Sequence, residues 1–328
     1  MTVRALQWGL LSTAWINDFL IPPLRCSPRN WIAAVGSRSL EKAQEYAAKW
    51  HIPRAYGSYD ELLADPEIDV IYVSLPNSMH TEWTVKAAQA GKHVLCEKPM
   101  PVTLDEMEAI AAAAKENNVV IAEAFMYLHH PQTLKVKELV DGGAIGRVIN
   151  IRASFSHNFS TDTSVRMIKD LCGGSIWDVG CYPISYARYI MGQEPIEVFG
   201  RQIWSRTDVD QSFFGTLRFP GDIYMQFDSG IQTPWHQSME IVGAKGYIAL
   251  KNPWMIGGWN EIDFISDGGV QHMGVPRQDL YLGEVEDMAD SIRDGKSQRV
   301  SLEFSRGNVA AIRALLRSAE TRRPVEMA

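Results

Sequence analysis

Lys92-His93-Val94-Leu95-Cys96-Glu97-Lys98-Pro99 is the stretch on which the reading of this chain turns. Val94, Leu95 and Cys96 form an apolar run suited to a buried strand, and Glu97, Lys98 and Pro99 follow where such a strand must stop. Ligands of an open parallel sheet bind just beyond the carboxyl ends of its strands, so the stretch predicts an ammonium group at a binding crevice. A Glu-Lys-Pro triplet in isolation is more often a solvated loop with a neighbouring ion pair, and its meaning here rests on the segments around it.

Upstream, residues 5–11 read as a first strand and 15–24 as an amphipathic helix, joined through Ser12, Thr13, Ala14, Trp15 and Ile16. A dinucleotide fold holds its pyrophosphate at this turn, on backbone N–H groups at a helix N-terminus. Read as G-x-G-x-x-G, the positions hold Ser12, Ala14 and Asn17, with Gly9 lying earlier, inside the strand. Serine and alanine are small enough to admit a phosphate but lack the freedom of glycine at positive φ, so a turn of altered shape is expected. Ser12 and Thr13 are candidate hydroxyl donors, and a Ser-Thr helix cap without a ligand is the competing reading.

Residues 32–36 then form a second strand and 40–50 a helix, with Ser37-Arg38-Ser39 between them. This is about where the fold reads the adenosine ribose; an acidic residue there prefers NAD, whereas Ser37 and Arg38 offer a hydroxyl and a bidentate cation to a 2'-phosphate, which favours NADP. A short helix over 59–64, a strand over 69–75 and a helix over 81–90 follow. Leu75, Pro76 and Asn77 fall where a nicotinamide ribose would pass, and His80 is a candidate helix cap and pocket wall. A helix over 104–117 and a strand over 119–125 complete an alternation that predicts a doubly wound parallel sheet.

Beyond residue 126 the texture changes. A helix is expected over 130–142, a strand over 147–155, and further strands at 213–219, 223–229, 238–242 and 247–251, with turns such as Pro220-Gly221 between them. A last helix is expected near 304–320. The pattern is that of an α+β domain on an antiparallel sheet. Within it, Gly173-Gly174-Ser175-Ile176-Trp177-Asp178-Val179-Gly180-Cys181-Tyr182 opens a helix with two glycines that allow close backbone approach, and places Asp178 and Tyr182 four apart, on one face. A carboxylate beside a phenol can orient a substrate hydroxyl and relay its proton, although such a pair is also common on a helix surface.

Composition narrows the function classes. The chain has 328 residues, enough for two domains, and its net charge of -7 argues against nucleic acid or an anionic membrane as partner. No basic-then-apolar leader opens it and no apolar run reaches membrane-spanning length, so a cytoplasmic protein is expected. Cys26, Cys96, Cys172 and Cys181 lie far apart and read as reduced thiols, and no histidine pair has ligand spacing, so no metal is expected.

Gly91 to Pro99, with Glu123-Ala124-Phe125-Met126-Tyr127, Gly142-Gly143-Ala144-Ile145-Gly146 and the Gly173 to Tyr182 segment, resembles the glucose-fructose oxidoreductase and inositol dehydrogenase family (Gfo/Idh/MocA), over nearly the whole chain. The resemblance implies an α/β Rossmann dinucleotide-binding domain over residues 1–125. It also implies an α+β substrate-binding and oligomerisation domain over 126–328, with a large mostly antiparallel sheet through which members form dimers or tetramers. It carries over Lys98 as the active-site lysine, Asp178 as the substrate-orienting carboxylate and Tyr182 as acid/base. Glu97 would lie by the nicotinamide ribose, and Arg166 resembles the cofactor-contacting arginine of many members.

The activity so implied is hydride transfer between a sugar carbon and nicotinamide C4, with Tyr182 as base assisted by Lys98, or Lys98 itself as base. Tyrosine at 182 and the segment around 213–221 resemble members that oxidise xylose or glucose at C1 with NADP. Trp177, Trp235, Trp254 and Trp259 are candidate sugar-stacking residues, with core packing as the alternative for most. Other readings are a ketosugar or anhydro-sugar reductase, a dihydrodiol dehydrogenase, a redox-assisted glycosidase, and a non-catalytic sugar or cofactor sensor.

Overall fold

The computed structural model describes residues 4–159, 161, 163–257 and 261–327. Two compact units emerge, one comprising the chain as far as His129 together with Tyr281–Arg306, the other His130–Leu280 and the chain from Gly307 onward.

In the first unit, strands β1 (Leu6–Leu11), β2 (Asn30–Gly36), β3 (Arg54–Tyr56), β4 (Val70–Val73), β5 (His93–Glu97) and β6 (Ile121–Ala124) alternate with helices α1 (Asn17–Cys26), α2 (Leu40–Trp50), α3 (Tyr59–Leu63), α4 (His80–Gln89) and α5 (Leu104–Asn117). Among the described residues this sheet has six parallel strands in the order β3-β2-β1-β4-β5-β6. The order reverses beside β1, the point at which such sheets open a crevice. Leu11, Val73, Val94 and Cys96 of the strands bury against Leu62, Trp83, Met107 and Ile110 of the helices, each full burial contributing ~1.5–3 kcal/mol.

Helix limits follow local chemistry. Ser39 caps α2 by accepting from the Lys42 N–H, and α5 starts in a reciprocal Thr103–Glu106 capping box. The helix Leu282–Asp294 returns to this unit, where Arg29 reaches Asp290 at 2.5 Å, Asp294 at 2.9 Å and Glu286 at 3.4 Å.

The second unit opens with α6 (Pro131–Asp141) and β7 (Val148–Ser156). It continues through a helical segment Ile176–Gly180, α7 (Cys181–Met191), β8 (Glu197–Trp204), β9 (Asp210–Phe219), β10 (Ile223–Gly230), β11 (His236–Gly243), β12 (Gly246–Leu250), β13 (Glu261–Ser266), β14 (Gly269–Gly274) and β15 (Val325–Glu326). Its sheet, nine-stranded among the described residues, runs β14-β13-β12-β11-β7-β10-β9-β8-β15. Neighbours are antiparallel except β7 and β10, which are parallel. Segment 176–180 and α7 pack on β7 and β10. Among the described residues, no helix is long and apolar enough to cross a membrane.

Candidate active site

In the first unit the parallel register brings one end of every strand to a common edge: Leu11 pairs with Gly36 and Val73, Val73 with Cys96, and Glu97 with Ala124. Ser12–Ile16, Ser37–Arg38, Leu75–Asn77 and Glu97–Lys98 therefore leave the sheet along the same edge.

The turn after β1 corrects two expectations. Ser12 adopts φ +135°, the conformation a glycine would take, so the turn keeps its glycine-like form without glycine. The side chain makes this tolerable: Ser12 Oγ accepts from the Ala14 N–H at 3.1 Å and lies 3.0 Å from the Ser74 carbonyl and 2.8 Å from Ser74 Oγ. The hydroxyl is thus engaged within the fold rather than offered to a phosphate. Asn17 closes the same turn through its amide N–H on the Ser12 carbonyl at 2.9 Å. No side-chain cap starts α1, so the Ser-Thr cap is absent too.

Thr13, Ala14 and Ile16 are half-buried, and Trp15 is exposed with its ring edge-on to Phe19. Ser37 is buried, its N–H on the Tyr56 carbonyl, whereas Arg38 is exposed with Tyr59 as hydrogen-bond partner. A small-residue turn at a helix N-terminus and an exposed guanidinium after β2 fit a phosphorylated dinucleotide.

Lys98 is half-buried and joined to Pro99 by a cis peptide. Glu97 accepts a hydrogen bond from the fully buried Tyr72, and burial followed by the Glu97 charge pushes that phenol well above its ordinary range. His80 is not a helix cap. Its buried ring lies 2.7 Å from the Leu75 carbonyl through Nε2 and 2.7 Å from the Pro99 carbonyl through Nδ1, tying together the loops that carry Asn77 and Lys98. Burial, outweighing the two carbonyls, lowers its pKa.

In the second unit, Gly173 and Gly174 are required by close approach, since a Cβ at Gly173 would sit 2.4 Å from the Arg166 carbonyl. The next segment, Ile176–Gly180, is a π-helical turn continuing into α7, not a uniform α-helix. It presents Asp178, whose Oδ2 accepts from Arg166 Nε at 2.7 Å and from His157 Nε2 at 2.8 Å. His157 Nδ1 accepts from the Phe159 N–H at 3.3 Å, which leaves Nε2 as the protonated nitrogen facing Asp178. Tyr182 is buried, edge-on to Phe155 and Trp254.

His157 and Asp210 are the residues that sequence reasoning did not select. Of the candidate stacking tryptophans, Trp177 and Trp254 are buried, Trp235 is 48% exposed, and Trp259 lies outside the described residues. Among the described residues one group has ligand-like proximity for a metal, Glu261, Asp263 and His272, with Asp263 already 2.7 Å from His272 and 3.7 Å from Lys251.

Comparison with known proteins agrees with both units. Residues 6–125 match the oxidoreductase family with a NAD-binding Rossmann fold, and residues 133–249 match the GFO/IDH/MocA C-terminal domain. The chain is 33% identical to the D-xylose 1-dehydrogenase (NADP(+)) 2 of Haloferax volcanii, covering 98% of this chain and all of that protein. It is 34% identical to the trans-1,2-dihydrobenzene-1,2-diol dehydrogenase of Xenopus laevis, over 83% of this chain and 82% of the relative. The crystal structure of the aldose-aldose oxidoreductase of Caulobacter crescentus, complexed with glycerol, superposes with a TM-score of 0.92 at 25% identity, covering 99% and 100% of the two chains. With a dinucleotide-binding fold in one unit and, in the other, an oriented carboxylate on a helical segment packed against a mostly antiparallel sheet, the chain belongs to the Gfo/Idh/MocA family of oxidoreductases.

Proposed function

We propose that the protein is an NADP-dependent sugar dehydrogenase that oxidises an aldose at C1, with Lys98, Asp178 and Tyr182 as its catalytic residues. The observation that carries this reading is the clamping of one Asp178 oxygen by Arg166 and His157. A carboxylate so fixed presents a set direction to a substrate hydroxyl, which is worth more in a transition state than a mobile one. Trp235 and the 70% exposed Phe159, 5.9 Å apart, form an apolar platform beside it, and Phe159 stacks on His157 at 5.2 Å. The C–H face of a pyranose suits such a platform.

Nicotinamide, when bound, supplies the hydride acceptor at C4. Ser12–Ile16, Ser37, Arg38, Leu75–Asn77, His80, Glu97 and Lys98 are the residues that would hold the cofactor, with Arg38 exposed for a 2'-phosphate; Arg166, a cofactor contact by the family resemblance, is assigned to orienting Asp178, to which its Nε donates. Tyr182 takes the hydroxyl proton as the C–H bond breaks, and the Lys98 ammonium stabilises the negative charge on the reacting oxygens. A second reading, oxidation of a cyclic trans-diol, is favoured by the same aromatic platform.

The reading is of a cytoplasmic enzyme that forms a homo-oligomer, and it is the homo-oligomer that the outer face of the second sheet supports. There Arg152, Ser154, Phe214, Gln226 and Asp228 line an open concavity of about 1010 Å³, and Phe214 is 47% exposed. Light scattering reads the oligomeric state.

The deciding assay follows NADPH formation with xylose, glucose and cyclic diols. Turnover with an aldose, lost in Lys98→Met while NADP still binds, supports the proposal; undiminished turnover in that variant refutes the role of Lys98. No change in NADPH with any substrate refutes the dehydrogenase reading and favours a glycosidase or a sensor.

A further inference from the structure

Beneath the helical segment that carries Asp178 lies a buried carboxylate belonging to β9. Asp210 is 4% exposed, and its Oδ2 accepts from Ser175 Oγ at 2.6 Å and from the Ile176 N–H at 2.8 Å. Ser175, fully buried, also lies 3.0 Å from Ser229 Oγ on β10. The fit extends to the backbone. A Cβ at Gly174 would come 2.1 Å from Asp210 Oδ1, and one at Gly180 would come 3.0 Å from Ser229 Oγ, so the glycines on either side of Asp178 are spaces these two side chains occupy. Gly174, at φ +122°, also donates its N–H to the Arg166 carbonyl, which fixes the segment bearing the Arg166 guanidinium to the same point.

We infer that Asp210 is a positioning residue of the reaction, anchoring the start of segment 176–182 so that Asp178 and Tyr182 are held in place for substrate. This rests on the catalytic reading of those two residues. A purely structural account explains the arrangement less well: burial pushes the Asp210 carboxyl up to about 6, the Ser175 hydroxyl and the backbone amides offsetting only part of that, so the charge kept at neutral pH opposes folding. A group whose folded pKa is raised contributes stability that is lost as pH rises through that value. What the ionised form secures is orientation, since a carboxylate oxygen accepts from Ser175 and Ile176 together. The titratable side chains of segment 176–182 are Asp178, Cys181 and Tyr182, and Asp178 meets His157 and Arg166, from earlier in the chain, at its own Oδ2 rather than at Asp210. Asp228, next to Ser229, bonds Ser154 Oγ instead.

The test compares wild type, Asp210→Asn and Ser175→Ala in the full-length protein. In Asp210→Asn, kcat with the best sugar substrate should fall at least about tenfold, the loss expected when a hydrogen bond to a charged group is weakened. KM for NADP should stay within about twofold and the melting temperature at neutral pH should not fall. The wild-type loss of kcat on acidification through about pH 6 should be absent from the variant, because Asn cannot titrate. Ser175→Ala, which leaves the carboxylate in place, should show a smaller fall in kcat and keep the acid limb. Amide exchange over residues 176–182, which needs no substrate, should be faster in Asp210→Asn. Unchanged exchange there, or kcat within twofold of wild type, overturns the inference; an equal loss of melting temperature and kcat reduces Asp210 to a structural residue and overturns it as well. Wild type that oxidises no sugar or diol, with exchange still accelerated in the variant, refutes the catalytic reading instead.

Discussion

Replacing Arg166 with methionine separates two roles for this side chain. The thioether keeps most of the stem but removes the guanidinium that donates to Asp178 Oδ2 at 2.7 Å. Arg166 is 28% exposed and Asp178 13%, so solvent screens the pair only in part. A hydrogen bond to a charged group contributes ~1.5–3 kcal/mol, and the partial exposure places this one toward the low end, at about 2 kcal/mol. His157 continues to hold the same oxygen at 2.8 Å, so Asp178 is loosened rather than released. About 2 kcal/mol of lost transition-state stabilisation is roughly a thirtyfold fall in kcat/KM for sugar. Steady-state kinetics with varied sugar at saturating NADP measures this, and quenching of protein fluorescence measures cofactor affinity. The thirtyfold fall is expected with cofactor affinity unchanged, and with partial recovery on adding free guanidinium. A tenfold weaker cofactor with sugar kcat/KM intact would instead make Arg166 a cofactor contact and refute the argument.

Other outcomes follow from the same structure. Ser12 holds a positive φ that costs ~1–3 kcal/mol for a non-glycine residue, while its hydroxyl repays part of that. Ser12→Ala should therefore lower the urea midpoint more than Ser12→Gly does, and the reverse order would contradict the account of the turn. Burial holds His130 down to about 4, and burial aided by Arg299 holds His129 down to about 3. Both imidazoles thus stay neutral in the fold while the unfolded chain takes up protons near pH 6.5, and stability present above that value is lost progressively toward pH 3–4. Urea titrations across this range should show the slope, and His130→Gln should flatten it. Trp235→Ala and Phe159→Ala should raise KM for sugar with kcat little changed; an equal fall in kcat would mean that the aromatic platform acts on the chemistry itself.

Much of the fold was legible where the determinants are local. Helices α2 and α5 were read to the residue because Ser39, Thr103 and Glu106 write their starts, and left-handed His51 and Asn118 end them. Strand β3, Arg54–Tyr56, is too short for periodicity to register and exists because β2 offers it a ladder. The parallel pairing of β7 with β10 is likewise a matter of partners far apart in the chain. At the candidate site, the spacing of Asp178 and Tyr182 was visible but not the π-helical turn between them. His157 had no motif to announce it, since its partner lies 21 residues on in the sequence. Asp210 sits at the start of an ordinary strand, and only the missing side chain at Gly174, whose space its Oδ1 fills, reveals what it faces.

The return of Tyr281–Arg306 to the first unit bears on how the protein is made. Vectorial synthesis delivers β1 to β6 early, yet Arg29 cannot meet all of Glu286, Asp290 and Asp294 until the ribosome has added roughly 170 further residues, which at ~5–20 residues per second takes roughly 9–34 s. During that interval the nascent nucleotide-binding unit is an unfinished surface, and its completion is timed by the arrival of a helix encoded only after strand β14.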